Sequence, residues 1–404
     1  MEQAEIKQRL QTKIFGHPIA KQFNAYSQSV LKKLSECHTV RLGVHLYRCD
    51  SCQHQHYQYH SCGNRHCPNC GGLKREQWLQ DRMSELLPTT YFHIVFTLPQ
   101  QLRSLAMGNR KAVFNLLFEA STYTLRKLGQ DEKYLGGTPG IISILHTNGQ
   151  DLSFHPHIHC IVSGGGLSKE GKWIKEKRAN GNFLFPRRAM EKVFKGYFLD
   201  RLKALHQTQK LRNEDEAAFE KILQEVKYIK WNVYAKRPFG GPQQVLEYLG
   251  RYTHKVAITS HRILSIDDTT ITFKYKDYKD GNKQKQMTLS QEEFLRRFEQ
   301  HILPKGFVKI RHSGFLSHQH KTERLQSICK QLDIAAPAPK VKLPVATLAA
   351  MKYGVDITRC SVCKTGKLEL VATYVNIAQV GVCLVDAADC HSRGSPMKIH
   401  QAVL

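Results

Sequence analysis

The chain has 404 residues, enough for two or three domains with at least one full hydrophobic core. Lys and Arg number 60 against 34 Asp and Glu, a net charge of +26. A field of that sign draws polyanions. With no apolar run long enough for a bilayer, no lipidation signal and no cationic amphipathic helix, it favours nucleic acid over a membrane surface.

The opening MEQAEIKQRLQTKIFG lacks the apolar stretch of a secretory signal, so a cytoplasmic protein near the nucleoid is expected. Residues 1–36 read as helical, with Ile6, Leu10, Ile14 and Phe15 on one face and Phe23, Val30, Leu31 and Leu34 following. From Cys37 to Cys70 the pattern breaks into short Cys/His-rich pieces. A polar helix over 74–87 is stopped by Pro88. Residues 91–98 (YFHIVFTL) read as a buried strand and 109–128 as an amphipathic helix. Strands over 141–145 and 153–162 are joined through Asn148-Gly149, a hairpin signal, and Gly164-Gly165-Gly166 ends the second.

Helices over 188–205 and 214–226, a strand over 228–234 and a helix over 243–252 come next. Alternating stretches at 256–266 and 270–278 predict a strand pair. A helix over 291–302 and a basic strand-like piece at 307–315 close the region. From Ile334 the composition turns to Ala, Pro and Lys, a linker, before a tail carrying Cys360-Ser-Val-Cys363. The domains expected are therefore 1–88, 89–333, and a linker with tail over 334–404.

Twelve cysteines in a reducing compartment point to metal ligands rather than disulfides. Cys49-Asp-Ser-Cys52 and Cys67-Pro-Asn-Cys70 are two knuckles, each presenting two thiolates, and together they fill a tetrahedral zinc site. Cys37, Cys62 and His66 are further candidates, for a second site or as replacements within the first. Such a segment is too small for its own core and folds on metal-binding energy. Arg65 and its basic neighbours are positioned to grip phosphates.

The strand Phe154-His-Pro-His-Ile-His159 carries the chemistry. Side chains alternate on a strand, so His155, His157 and His159 share one face, and two imidazoles at i, i+2 hold one cation in common. Pro156 suits the start or edge of a sheet. His146, on the partner strand, is the candidate third ligand; Gln150, Asp151 and His93 are weaker ones. A three-histidine set admits a hydrolytic zinc. Two histidines with a further polar group admit Mg²⁺ or Mn²⁺, which the rest of the chain favours.

Glu247-Tyr-Leu-Gly-Arg-Tyr-Thr-His-Lys255 puts Tyr248 and Tyr252 at i, i+4, on one helical face. A phenol attacks phosphorus when a metal and a base stabilise the charge, and Lys255 is the candidate for that second part. Arg251 and His254 add phosphate-binding charge. Alone, the pair reads as packing tyrosines; beside the histidine strand in a +26 chain, it reads as two nucleophiles.

These motifs together resemble a known family. His157-Ile158-His159 is similar to the His-hydrophobe-His motif of the rolling-circle (HUH) nucleases. Tyr248-x-x-x-Tyr252 looks like the two-tyrosine motif of the insertion-sequence-91 type of transposase in that superfamily, whose cysteine module is similar to Cys49 through Cys70. The likeness covers about residues 30–320. It implies an α+β fold of HUH nuclease type, an antiparallel sheet flanked by helices, preceded by a small zinc-binding domain.

It also implies a structural Zn²⁺ and a catalytic Mg²⁺ or Mn²⁺. The implied reaction nicks one strand of single-stranded or locally melted DNA, leaving a 5′-phosphotyrosine and a free 3′-hydroxyl; the second tyrosine then cleaves the target. The basic segment 305–311 and Tyr275 and Tyr278 are candidate DNA contacts. Beyond Cys360 the likeness stops, and the obvious partners for that knuckle, Cys383 with Cys390 or His391, are irregularly spaced.

Three other functions compete. A plasmid replication initiator or relaxase uses the same chemistry. A zinc-dependent DNA-binding regulator has no use for the tyrosines or His157. A zinc hydrolase of small molecules leaves the basic surplus idle.

Overall fold

The computed structural model describes residues 2–176, 184–212, 215–235, 244–245, 248, 250, 257–278, 280–377, 381–385 and 399–401. They form two compact units. One comprises residues 1–77, 256–302 and 342–404; the other comprises 78–255 and 303–341. Residues 256–302, inside the expected 89–333 domain, cluster with the N-terminal helices, and so do residues 342–404 of the tail expected from 334.

In chain order the strands begin with β1 (Val44–Cys49), β2 (Gln55–Tyr59), β3 (Tyr91–Thr97), β4 (Thr138–Asn148) and β5 (Phe154–Leu167). Next come β6 (Trp173–Lys175), β7 (Val233–Ala235), β8 (Ile263–Ile266), β9 (Thr270–Asp277) and β10 (Lys283–Ser290). The last are β11 (Ile310–Ser313), β12 (Leu368–Ile377), β13 (Gly381–Val385) and β14 (Ile399–Gln401). Every pairing among them is antiparallel, which with the flanking helices makes the class α+β. Among the described residues no helix is long and apolar enough to cross a membrane.

In the second unit the sheet order is β11-β4-β5-β3-β7, with β6 on the far end of β5. Alternation sorts its side chains into two layers. Ile94, Phe96, Leu145, Ile158 and Cys160 face a core built with the helices Arg110–Gln130 and Arg187–Gln207, where Phe114, Phe194 and Phe198 are fully buried. The opposite face carries Tyr91, Ile142, Ile144 and Ile161 against Val245, Tyr248, Leu325 and Ile328. The described positions Gln244, Val245, Tyr248 and Gly250 are helical.

One sequence expectation fails on β5. The glycine run does not end the strand, which continues to Leu167 with Gly165 and Gly166 paired to Lys175 and Ile174 of β6. The glycines allow close approach instead: a Cβ at Gly165 would strike the Trp173 ring, and one at Gly166 would meet the Thr138 backbone at 2.8 Å. Pro156 lies near the start of β5, one of the two positions that suit it. There the β4 register shifts between His146 and Asn148, which accommodates the missing N–H.

In the first unit, Ile6, Leu10, Ile14 and Phe15 are buried, and Phe15 packs on Phe298 with ring centroids 5.1 Å apart. Phe298 lies on the helix Gln291–Glu299, whose first turn is capped by the Ser290 hydroxyl accepting from the Glu293 N–H. The Ser27 hydroxyl donates to Glu299 at 2.6 Å. A three-stranded sheet, β10-β9-β8, completes this part; β10 was not predicted. A second sheet runs β14-β13-β12-β1-β2, so the unplaced tail is a strand beside the cysteine hairpin. Part of the predicted linker is the helix Val345–Tyr353.

Candidate active site and metal centre

The β4–β5 hairpin delivers the histidines. Its register sets His146 opposite His157, and alternation puts His159 on the same face. One nitrogen from each of His146, His157 and His159 lies within 4.8 Å of the others. The His157 Nδ1–H donates to the His155 carbonyl at 2.6 Å, which leaves Nε2 as its ligand atom. His159 contacts His93 and Tyr248 through Nδ1. The donor chemistry and spacing fit a divalent cation.

His155 is turned elsewhere: its Nδ1 accepts from Arg103 at 2.6 Å, and burial together with that guanidinium holds the ring below its ordinary proton affinity, neutral. Asp151 folds the hairpin turn by accepting from the Ser153 N–H and hydroxyl.

Tyr248 is 8% exposed and reaches the same face of the sheet. Its phenol oxygen is 2.7 Å from His93 Nε2 and 3.2 Å from His159 Nδ1. His93 and His159 are 2.9 Å apart at those nitrogens, their rings stacked at 5.2 Å. One proton arrangement links the three groups: His159 Nδ1–H donates to the phenol oxygen, and the phenol O–H donates to His93 Nε2. Tyr252, Arg251, His254 and Lys255 lie outside the described residues.

His93, only a weak metal-ligand candidate in the sequence, lies against the Tyr248 phenol and His159. Its signal was there. A histidine inside the apolar run YFHIVFT is a buried polar group that needs partners.

The opposite face of this unit has a groove of about 780 Å³ lined by Arg110, Lys111, Arg201, Lys210 and Arg212, with Glu119 the acidic member. Of the expected DNA contacts, Arg311 is half-buried and its guanidinium lies 4.1 Å from the Phe118 ring centre while donating to Asn115. Tyr278 is exposed, on the first unit.

The cysteine expectation needs correcting. Cys67 and Cys70 gather with Cys37 and Cys62, not with Cys49 and Cys52, which join a different group. The hairpin explains this. Cys49 and Cys52 sit at its closed end and Cys37 and Cys62 flank its open end, with Val44 opposite Tyr59 and Arg48 opposite Gln55 between them. Strands of this length hold the two ends roughly 15 Å apart. His66 and the exposed Arg65 belong to neither thiol group.

In the first quartet Cys62 and Cys70 are 3.5 Å apart, and Cys37 and Cys67 are 3.6 Å apart. Those spacings match the roughly 3.8 Å edges of a zinc–thiolate tetrahedron. Cys67 and Cys37 are fully buried. Hydrogen bonds from Cys37 draw the proton affinities of Cys62 and Cys70 down, while Cys62 pushes Cys37 up and Cys37 pushes Cys67 up. A cation that ligates all four as thiolates resolves this division. The quartet's donors and spacing fit a structural zinc.

Residues 6–98 match the family model described as "Transposase zinc-binding domain", and residues 140–324 match the one described as "Putative transposase". A protein of Sinorhizobium fredii named "Putative transposase y4qJ" is 40% identical over 361 residues, 85% of this chain and 89% of the relative. The transposase for insertion sequence element IS801 of Pseudomonas savastanoi pv. phaseolicola is 31% identical over 343 residues, 82% of this chain and 80% of the relative. No solved structure matches the chain.

Proposed function

The chain belongs to the insertion-sequence-91 type of transposase with its N-terminal zinc-binding domain, and on that premise we propose that it cuts and joins single DNA strands through a tyrosine. Its partner is DNA. The observation that carries the reading is the buried Tyr248 phenol, 2.7 Å from His93 and 3.2 Å from His159.

Tyr248 Oη attacks the scissile phosphorus as its proton passes to His93 Nε2, and the P–O3′ bond breaks. The departing O3′ takes up a proton from solvent, so the products are a 5′-phosphotyrosine and a 3′-hydroxyl. Bond energy is kept in the ester, so rejoining needs no ATP. His146, His157 and His159 would hold a divalent cation, Mg²⁺ or Mn²⁺, which when bound polarises the phosphate. His159 would serve twice, orienting the phenol through Nδ1 and offering its other ring nitrogen to the cation. Tyr252 is the nucleophile we assign to the target strand, with Lys255 neutralising charge.

A phenol this enclosed is reached by one strand more readily than by a duplex, which supports single-stranded or locally melted DNA as substrate. The basic groove on the other face supports polyanion binding. The test is incubation with labelled single-stranded element-end DNA and Mn²⁺ or Mg²⁺, followed by a denaturing gel. A protein–DNA adduct is expected, absent in His157→Ala; an adduct formed equally by that variant contradicts the metal assignment.

A further inference from the structure

Four thiols from opposite ends of the chain meet beyond the sites described above. Cys49 ends β1 and Cys52 lies in the following turn, while Cys360 and Cys363 precede β12. β1 and β12 pair with Cys49 opposite Leu368, a register that brings the two knuckles face to face. The Cys49 and Cys363 sulfurs are 3.6 Å apart, those of Cys52 and Cys360 3.7 Å, and all four lie within 4.8 Å. A disulfide needs about 2.05 Å. A zinc tetrahedron has edges of about 3.8 Å.

The loops are built alike. Each is Cys-x-x-Cys followed by a left-handed residue, Gln53 at φ 57° and Lys364 at φ 61°. Gln53 N–H donates to the Cys49 carbonyl at 3.1 Å, and Lys364 N–H to the Cys360 carbonyl at 3.0 Å. Backbone N–H groups point at sulfur: Cys52 at Cys49 (3.5 Å) and Gly366 at Cys363 (3.3 Å), as thiolates require. Gly366 is held to glycine by the site itself, since a Cβ there would collide with the Cys49 sulfur and lie 2.6 Å from the Asp50 carboxylate. Asp50 in turn accepts from the Lys367 N–H at 2.9 Å, stitching the two loops together.

We propose that Cys49, Cys52, Cys360 and Cys363 bind a second structural zinc, a clasp that fastens the C-terminal segment to the N-terminal hairpin. The match to the zinc-binding family model ends at residue 98, so half of these ligands lie outside it. The ligands are more than 300 residues apart in sequence, and a cross-link that closes so long a loop removes more chain entropy than one within a knuckle. With zinc bound, β12 stays paired along β1; without it the two knuckles keep only their strand pairing and the Asp50–Lys367 hydrogen bond.

Cobalt substitution of the full-length protein tests this, because thiolate-to-cobalt charge transfer reports cysteine sites and not imidazole ones. Cys360→Ser with Cys363→Ser is expected to halve that absorbance and remove one metal per chain, as is Cys37→Ser with Cys62→Ser. Gly366→Ala, which retains every cysteine, is expected to match the first variant. Undiminished absorbance in the Cys360/Cys363 variant overturns the clasp.

Alkylation of the unmutated zinc-loaded protein gives an answer independent of variant folding. Cys360 and Cys363 should be protected until chelator is added, then react together with Cys49 and Cys52. Reaction without chelator, or protection removed by reductant alone, overturns it.

Discussion

The Tyr248 phenol oxygen lies 2.7 Å from Nε2 of His93, and that imidazole stacks on His159, a member of the three-histidine cluster. The proposed nucleophile, the proposed base and a candidate metal ligand thus share one face of one sheet. Three strands supply the histidines and a helical segment supplies the phenol. The arrangement depends on register, because a slip of one residue on β5 would turn His157 and His159 into the apolar core.

His93 is expected to matter to the rate and not to metal binding. His93→Ala should slow formation of the tyrosine–DNA adduct by about 10²-fold or more, within the ~10²–10⁴-fold range of a general base. The residual rate should climb with pH, since hydroxide must then remove the phenol proton. A single-turnover pH series checks this, and a His93→Ala rate equal to the unmutated one at neutral pH removes His93 from the mechanism.

His312 predicts how the second unit responds to acid. Burial and the neighbouring Arg82, whose Nη1 lies 3.3 Å from His312 Nε2, push its pKa from 6.5 to about 4. The folded pKa is depressed, so stability is intact above pH 6.5 and is lost as pH falls from there toward 4, where the unfolded chain takes up a proton that the folded one refuses. The full loss is about 3 kcal/mol. His312→Gln keeps an acceptor for Arg82 and should flatten that slope in denaturant titrations at pH 7 and pH 5; an unchanged slope assigns the acid sensitivity elsewhere.

Gly166 tests why the glycine run exists. Gly166→Ala places a methyl 2.8 Å from the Thr138 backbone, with no flexible side chain to yield. It should destabilise the protein by about 1–3 kcal/mol, as overpacking does. Thermal unfolding checks this, and an unchanged midpoint means the β4–β5 end has more room than its geometry indicates.

The histidine strand was legible because alternation and spacing are local: two imidazoles at i, i+2 share a face whatever the rest of the chain does. The helix over 110–130 and its apolar stripe were legible for the same reason. The cysteine pairing was not. Proximity in sequence suggested one quartet from Cys49, Cys52, Cys67 and Cys70, but the hairpin separates those knuckles, and the partners of the first lie at Cys360 and Cys363. The strand β10, KQKQMTLS, escaped because neither face presents an apolar row. The helix Val345–Tyr353 escaped because the alanines and prolines before it read as linker.

The central claim is that the Tyr248 phenol attacks phosphorus. The direct measurement uses Tyr252→Phe protein, Mn²⁺ and end-labelled single-stranded element DNA, followed by peptide mapping of the covalent adduct by mass spectrometry. The account predicts a single DNA-linked peptide with a 5′-phosphate on Tyr248, lost in Tyr248→Phe. Attachment at another residue, attachment through a 3′-phosphate, or an adduct that persists when both tyrosines are phenylalanine would contradict it.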